Sequence, residues 1–175
     1  PPALSPDGTT LVFGSANGDP QRSPLWLHRL RTNTAQILPG TEGASFPFWS
    51  PDNRYVAFFA DGKLKKIDIA GGPPITLADA PNGRGGAWGA GDVIIFTPSN
   101  VAPLFKVSAA GGAVTPATST EATQSRSHRF PSFLPDGLHF LFEDQQNSQG
   151  FESLLRIGSL DSKDTLQTGK ASSKI

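Results

Sequence analysis

Short runs in which apolar and polar residues alternate, each bounded by a cluster of Gly, Pro, Asp, Asn or Ser, follow one another along the whole chain. Alternation with a period of two places every other side chain on one face of an extended strand, and the clusters between runs supply turns. Leu25 and Leu27 against Trp26 and His28 are one such run; Val56 to Phe59 is another. Read this way, the chain predicts four groups of short strands. They fall at 3–5, 10–15, 25–30 and 35–38; at 46–50, 54–59, 63–69 and 74–78; at 86–89, 93–97, 104–108 and 114–116; and at 130–134, 139–143 and 154–160, with a weak last strand at 165–168.

The groups are copies of one unit. Ser5-Pro6-Asp7-Gly8, Ser50-Pro51-Asp52-Asn53 and Pro135-Asp136-Gly137 each precede an apolar run, and Trp88-Gly89-Ala90-Gly91-Asp92 is a worn copy that keeps its Trp. The residues ahead of these turns, Leu4, Trp49, Trp88 and Phe133, are spaced 45, 39 and 45 residues apart, the signature of stacked supersecondary units. A second marker, Gly71-Gly72 and Gly111-Gly112, falls at a fixed phase behind the first. Four strands in about 43 residues make a blade of a β-propeller. The expected architecture is therefore all-β, about four blades of four antiparallel strands. The blades are expected at 1–43, 44–84, 85–128 and 129–168, the last incomplete, with 169–175 a linker or frayed end. Propellers have about four to eight blades, so the four are expected to be an arc of a larger ring, one completed by partners, or a closed ring of four.

Composition narrows the partners. The 175 residues carry 15 basic and 15 acidic side chains and 37% hydrophobic residues, an ordinary balance for a chain that buries a core. Neutrality argues against nucleic acid, since the one tight basic cluster, Lys63, Lys65 and Lys66, is offset by Asp61 and Asp68. No apolar run is long enough to span a bilayer. There is no Cys and no Met and the first residue is Pro, so a start upstream of this segment is expected, with any leader out of view.

Motifs that carry chemistry are missing: there is no Gly-x-Ser-x-Gly elbow, no His-Glu-x-x-His, no phosphate loop and no calcium loop. No catalytic residue, cofactor or metal is expected. Asp7, Asp52 and Asp136 recur once per unit, which is what a structural turn hydrogen bond predicts. In an up-and-down blade the uniform turns collect on one side and the variable loops on the other, and variable loops on a rigid scaffold are where binding resides. The loops at 16–22, 41–43, 82–84, 99–101, 125–128 and 145–150, with Asp61, are placed on that open face. Glu42, Arg84, Arg126 and His128 lie there just before innermost strands, which makes them the candidate ligand contacts. His28 and His139, inside strands, are expected to be structural, and Trp49 and Trp88 to fill the space between blades.

The Ser-Pro-Asp-Gly turns, the Leu-Lys-Lys-Ile-Asp of a third strand and the Gly-Gly before a fourth resemble TolB-type β-propeller repeats, over roughly 2–162. Ser127-His128-Arg129-Phe130-Pro131 through Gly137, and Gly158-Ser159-Leu160-Asp161-Ser162, are similar to propeller segments that follow serine/threonine kinase domains in acidobacteria. The resemblance implies a non-catalytic scaffold for protein binding or ligand sensing, periplasmic or extracytoplasmic. It would be part of a kinase-like receptor or a subunit of a larger complex, with a protein partner or further blades of the same propeller. It also admits the propeller gate of a prolyl oligopeptidase-like hydrolase whose catalytic domain lies beyond this chain. A polysaccharide lyase propeller would need clustered His and carboxylates that three scattered His do not supply.

Overall fold

The computed structural model describes residues 1–14, 22–123, 125–146 and 153–171. Most of the expected loops at 16–22 and 145–150, and the end of the expected linker at 172–175, lie outside them. The described strands form four antiparallel sheets of four, each in simple sequence order. The chain divides into two compact units, Pro1–Pro81 and Asn82–Ile175.

The first unit holds two sheets. Sheet one is β1 (Ala3–Leu4), β2 (Thr10–Gly14), β3 (Leu25–Arg29) and β4 (Thr34–Leu38); sheet two is β5 (Ser45–Trp49), β6 (Tyr55–Ala60), β7 (Lys63–Asp68) and β8 (Ile75–Asp79). The second unit holds sheet three, β9 (Gly86–Trp88), β10 (Val93–Phe96), β11 (Phe105–Ser108) and β12 (Thr115–Pro116), and sheet four, β13 (Ser125–Phe133), β14 (His139–Gln146), β15 (Ser153–Ser159) and β16 (Leu166–Ala171). A single helical turn, α1 (Thr120–Thr123), leads into β13. No helix among the described residues is long and apolar enough to cross a membrane.

Sheet four departs from expectation at both ends. Its innermost strand begins at Ser125 rather than 130, so it runs through the expected boundary between 128 and 129. Its outermost strand continues to Ala171, so the sheet has all four strands where an incomplete one was expected and Gly169 lies in a strand rather than a linker. In both cases backbone pairing with the neighbouring strand extends the element past the apolar residues that mark it in sequence.

The turns repeat in atomic detail. Ser5 Oγ donates to Asp7 Oδ1 at 2.6 Å while the amides of Thr9 and Thr10 donate to Asp7 Oδ1 and Ser5 Oγ. Ser50, Asp52, Arg54 and Tyr55 reproduce the same set. Asp136 has no Ser partner; its Oδ1 accepts from the amides of Leu138 and His139, and its Oδ2 meets His139 Nδ1 at 2.7 Å. These donors favour the ionised carboxylate. The Ser50 hydroxyl and Arg54 amide lower the Asp52 pKa, and the His139 amide and ring bring Asp136 down to about 2. Asp52→Ala strands the Arg54 amide and frees Ser50, so thermal or urea unfolding should show a loss of about 0.5–2 kcal/mol. An unchanged midpoint would remove these carboxylates from the stability of the turn.

One sheet-to-sheet interface occurs in each unit. In the first, Val12, Leu25, Leu27 and Leu38 of sheet one pack on Trp49, Val56, Phe58 and Ile67 of sheet two, and Trp49 Nε1 donates across it to the Ala3 carbonyl. In the second, Ile95 of sheet three, with Leu104 and Ala117 at the ends of β11 and β12, packs on Phe140 and Phe142 of sheet four. Ile95 holds the repeat position of Val12, and Phe140 and Phe142 those of Val56 and Phe58. Gly158 is required here, because a Cβ would stand 2.6 Å from the Phe140 ring.

The interface leaves half of itself over at sheet one. Leu11 and Phe13, at the positions of the fully buried Val56 and Phe58, are only half-buried, and on the same face Leu4 and Ile37 are 54% and 46% exposed. On sheet four, Leu141 and its register partner Ile157 are half-buried and Leu166 beside them is 73% exposed.

Candidate functional site

The innermost strand of sheet four is irregular. Its pairing with β14 shifts register between Ser125 and Ser127 and again between Arg129 and Ser132. At the second shift Phe130 takes φ +49°, a left-handed value that a bulky side chain rarely adopts. The distortion is part of the repeat: Phe46 at φ +48° and Gly85 at φ +93° stand, like Phe130, three residues before the aromatic that ends each inner strand. At Gly85 the space as well as the angle is fixed, because a Cβ would sit 2.9 Å from the Phe130 ring and 3.1 Å from its Cα. The backbone is tied down around it. The Arg84 amide donates to the Thr97 carbonyl and the Phe130 amide to the Arg84 carbonyl, both at 3.1 Å, while the His128 amide donates to the Ala102 carbonyl at 3.0 Å. Phe130 is held 42% exposed.

Three arginines belong to this rim, with Arg84 and Arg126 near enough for their charges to act on Arg129. Arg129 is oriented by its Nε donating to Ser127 Oγ at 2.9 Å and its Nη2 to the Asn100 carbonyl at 3.0 Å. Burial lowers its pKa first, and the positive charges of Arg84 and Arg126 lower it further, against the pull of Glu143, its cross-strand partner. Burial pushes the Glu143 carboxyl up, with Arg129 opposing. Among the described residues the Arg84 and Arg126 side chains have neither a hydrogen bond nor an ion pair.

Beneath the rim lies a buried polar cluster. His128 and Asp144 face each other across β13 and β14, both with no exposure, their Nε2 and Oδ1 atoms 4.0 Å apart. Asp144 Oδ2 is bonded by Arg156 Nε from β15, whereas Oδ1 has no hydrogen-bond partner among the described residues. The Thr118 hydroxyl accepts from the Leu104 amide at 2.9 Å and meets His128 Nδ1 at 2.7 Å. The Phe142 ring lies against the imidazole, 4.7 Å between centroids. Burial takes the His128 pKa down to about 4; Asp144 pulls it up and Arg156 pushes it down. Thr, His and Asp in this order have the polarity of a hydrolytic triad, yet all three are buried and the hydroxyl is already engaged by a backbone amide. The cluster stiffens the inner strands and offers a substrate no nucleophile. No group of three metal-ligating side chains occurs among the described residues.

The expected contact residues therefore separate. Arg84 and Arg126 both lie near Arg129, which no motif marks in the sequence. His128, expected on an open loop, is inside β13 and sealed, because the strand begins at Ser125. Arg126 likewise sits in that strand, at its first bulge, rather than before it. Glu42 belongs to the first unit, exposed, with Oε1 accepting from the Gly40 amide at 3.3 Å. His28 does lie in β3, its Nε2 2.9 Å from Asn33 Oδ1. The signals for the missed residues were present: Arg156 is a lone cation inside Leu154-Leu155-Arg156-Ile157, and Glu143-Asp144 closes an apolar run that in the other copies ends without charge.

No protein-family model matches the chain, and no curated protein matches it by sequence. Solved structures do match in fold. TolB from Acinetobacter baumannii superposes with a TM-score of 0.79 at 16% identity, covering 98% of this chain and 43% of that one. A TolB-designated protein from Agrobacterium tumefaciens gives 0.81 at 16% identity, covering 95% and 63%. Puromycin hydrolase gives 0.72 at 17% identity, covering 96% and 28%. The chain thus has the β-propeller fold and spans less than two thirds of the length of each of these proteins.

Proposed function

We propose that this chain is a non-catalytic β-propeller scaffold that recognises a protein partner through the rim of its fourth sheet, in an extracytoplasmic setting. The observation that carries the reading is the contrast within the second unit: a hydroxyl, imidazole and carboxylate set is sealed in the core, while Arg126 and Phe130 are exposed and the Arg84 and Arg126 side chains have no hydrogen bond or ion pair among the described residues. Such a surface binds without transforming what it binds. The half-covered faces of sheets one and four belong to the same reading. Each is shaped as one half of an interface already built within a unit, so further sheets of this repeat, in a longer polypeptide or an assembly, are the natural cover. A link to a kinase-like receptor rests on the sequence resemblance alone.

The test is the native mass by light scattering together with the intact mass of the polypeptide isolated from its source. A longer polypeptide, or a stable complex with a second protein, is the expected result. A monodisperse monomer of 18.5 kDa that takes no partner would defeat it. The likeness to puromycin hydrolase favours a second reading, a propeller gate beside a hydrolase domain. Covalent labelling of the full polypeptide by a fluorophosphonate, at a residue outside these 175, would decide for that alternative.

A further inference from the structure

We propose that the Arg84, Arg126, Arg129 and Phe130 rim is a docking site for an acidic peptide segment, one that alternates carboxylate and apolar side chains. The proposal rests on the scaffold reading above and names the chemistry of its partner.

Two of the three guanidinium groups have no protein partner among the described residues, and the third is pre-oriented by Ser127 and Asn100. Arg129 is disfavoured as a cation first by its burial and then by the charges of Arg84 and Arg126, and an incoming anion would offset both. Glu143 does not cancel the site: it is a single half-buried carboxyl, its pKa raised by burial, whose register partner is Arg129 alone. Guanidinium forks match carboxylates in a bidentate geometry, which gives direction as well as attraction.

The rim is not purely ionic. Phe130, held outward by the bulge and backed by the side-chain-free surface of Gly85, is 42% exposed, and Val101, next to the Asn100 that anchors Arg129, is 61% exposed. Aromatic and arginine side chains together are what protein interfaces concentrate at their centres. An extended segment with carboxylates on one side and apolar groups on the other satisfies both halves. A long polyanion fits less well, since the whole chain has no net charge and the arginines form one spot rather than a track.

The experiment titrates a fluorescein-labelled octapeptide of alternating Glu and Phe against the chain by fluorescence anisotropy, with the octapeptide of alternating Gln and Phe as its counterpart. The Glu peptide is expected to bind, to weaken as salt is raised from 50 to 300 mM, and to lose about tenfold or more in affinity in the double variant R84A/R126A, about 1.4 kcal/mol per tenfold. Melting temperatures of that variant should match the parent, because neither guanidinium holds the fold together. Phe130→Ala should weaken the Glu peptide without altering its salt dependence. No binding of the Glu peptide, equal binding of the Gln peptide, or binding indifferent to R84A/R126A would each overturn the proposal. The native-mass measurement does not depend on these arginines, so a scaffold that assembles normally while the peptide fails to bind isolates the error to the rim's chemistry.

Discussion

Arg156→Ala is expected to cost about 3–5 kcal/mol of folding stability, read as a fall in the urea midpoint with little change in slope. The size follows from what the substitution leaves behind. Asp144 is wholly buried, and Arg156 Nε is the donor on its Oδ2. Its other oxygen has no hydrogen-bond partner among the described residues, and His128 Nε2, across the strands, is 4.0 Å away on a ring that burial keeps neutral. Without the guanidinium the carboxylate is a buried charge with nothing to balance it, and its desolvation cost is no longer offset.

The converse substitution separates this account from simple loss of packing. Replacing both partners, Arg156→Leu with Asp144→Leu, removes the charges together, and such replacements are often neutral or stabilising. The double variant should therefore be markedly more stable than Arg156→Ala, a strong coupling in a double-mutant cycle. If Arg156→Ala costs under about 1 kcal/mol, in the range of an exposed pair, water reaches Asp144 and the cluster is not what stiffens sheet four.

Which parts of this architecture can be read from sequence follows from how local their causes are. The turns are legible because Ser50, Asp52 and the amides they satisfy lie within five residues of one another, so the whole hydrogen-bonded set is written in one stretch. The strands are legible because each apolar run alternates. The start of β13 is not, because nothing in Ser125-Arg126-Ser127-His128 alternates in hydrophobicity; that segment is a strand through pairing with Asp144 to Gln146. The same holds for the site. Arg84 and Arg126 could be placed on the rim by topology alone, but Arg129 could not, since its orientation comes from the Asn100 carbonyl, 29 residues away. His128 was misplaced for a related reason: a histidine at a loop-to-strand junction looks solvent-facing until the register shows a carboxylate opposite and a threonine behind it.

Lowering the pH from about 6.5 to 4 is expected to remove stability on the order of 3 kcal/mol through His128 alone. The sign follows from the direction of the shift. The folded pKa of about 4 lies below the ordinary value of 6.5, so within that window the unfolded chain binds a proton that the folded chain refuses. The stability is fully present above the unfolded value and is lost as pH falls toward the folded one. Glu143 works the other way, because its raised pKa lets the folded state hold a proton slightly earlier than the unfolded state does, which offsets part of the loss in the lower half of the window. Asp136, at about 2, contributes only at more acid pH. Urea midpoints between pH 7.5 and 4 measure the sum, and His128→Phe isolates the histidine: with a ring of similar shape against Phe142 and no ionisable nitrogen, the slope between 6.5 and 4 should flatten whatever the variant's absolute stability. An unchanged slope in His128→Phe, or a proton resonance assigned to the His128 imidazole that titrates near 6.5 in the folded chain, would mean that water reaches the ring and that the cluster beneath the arginine rim opens in solution.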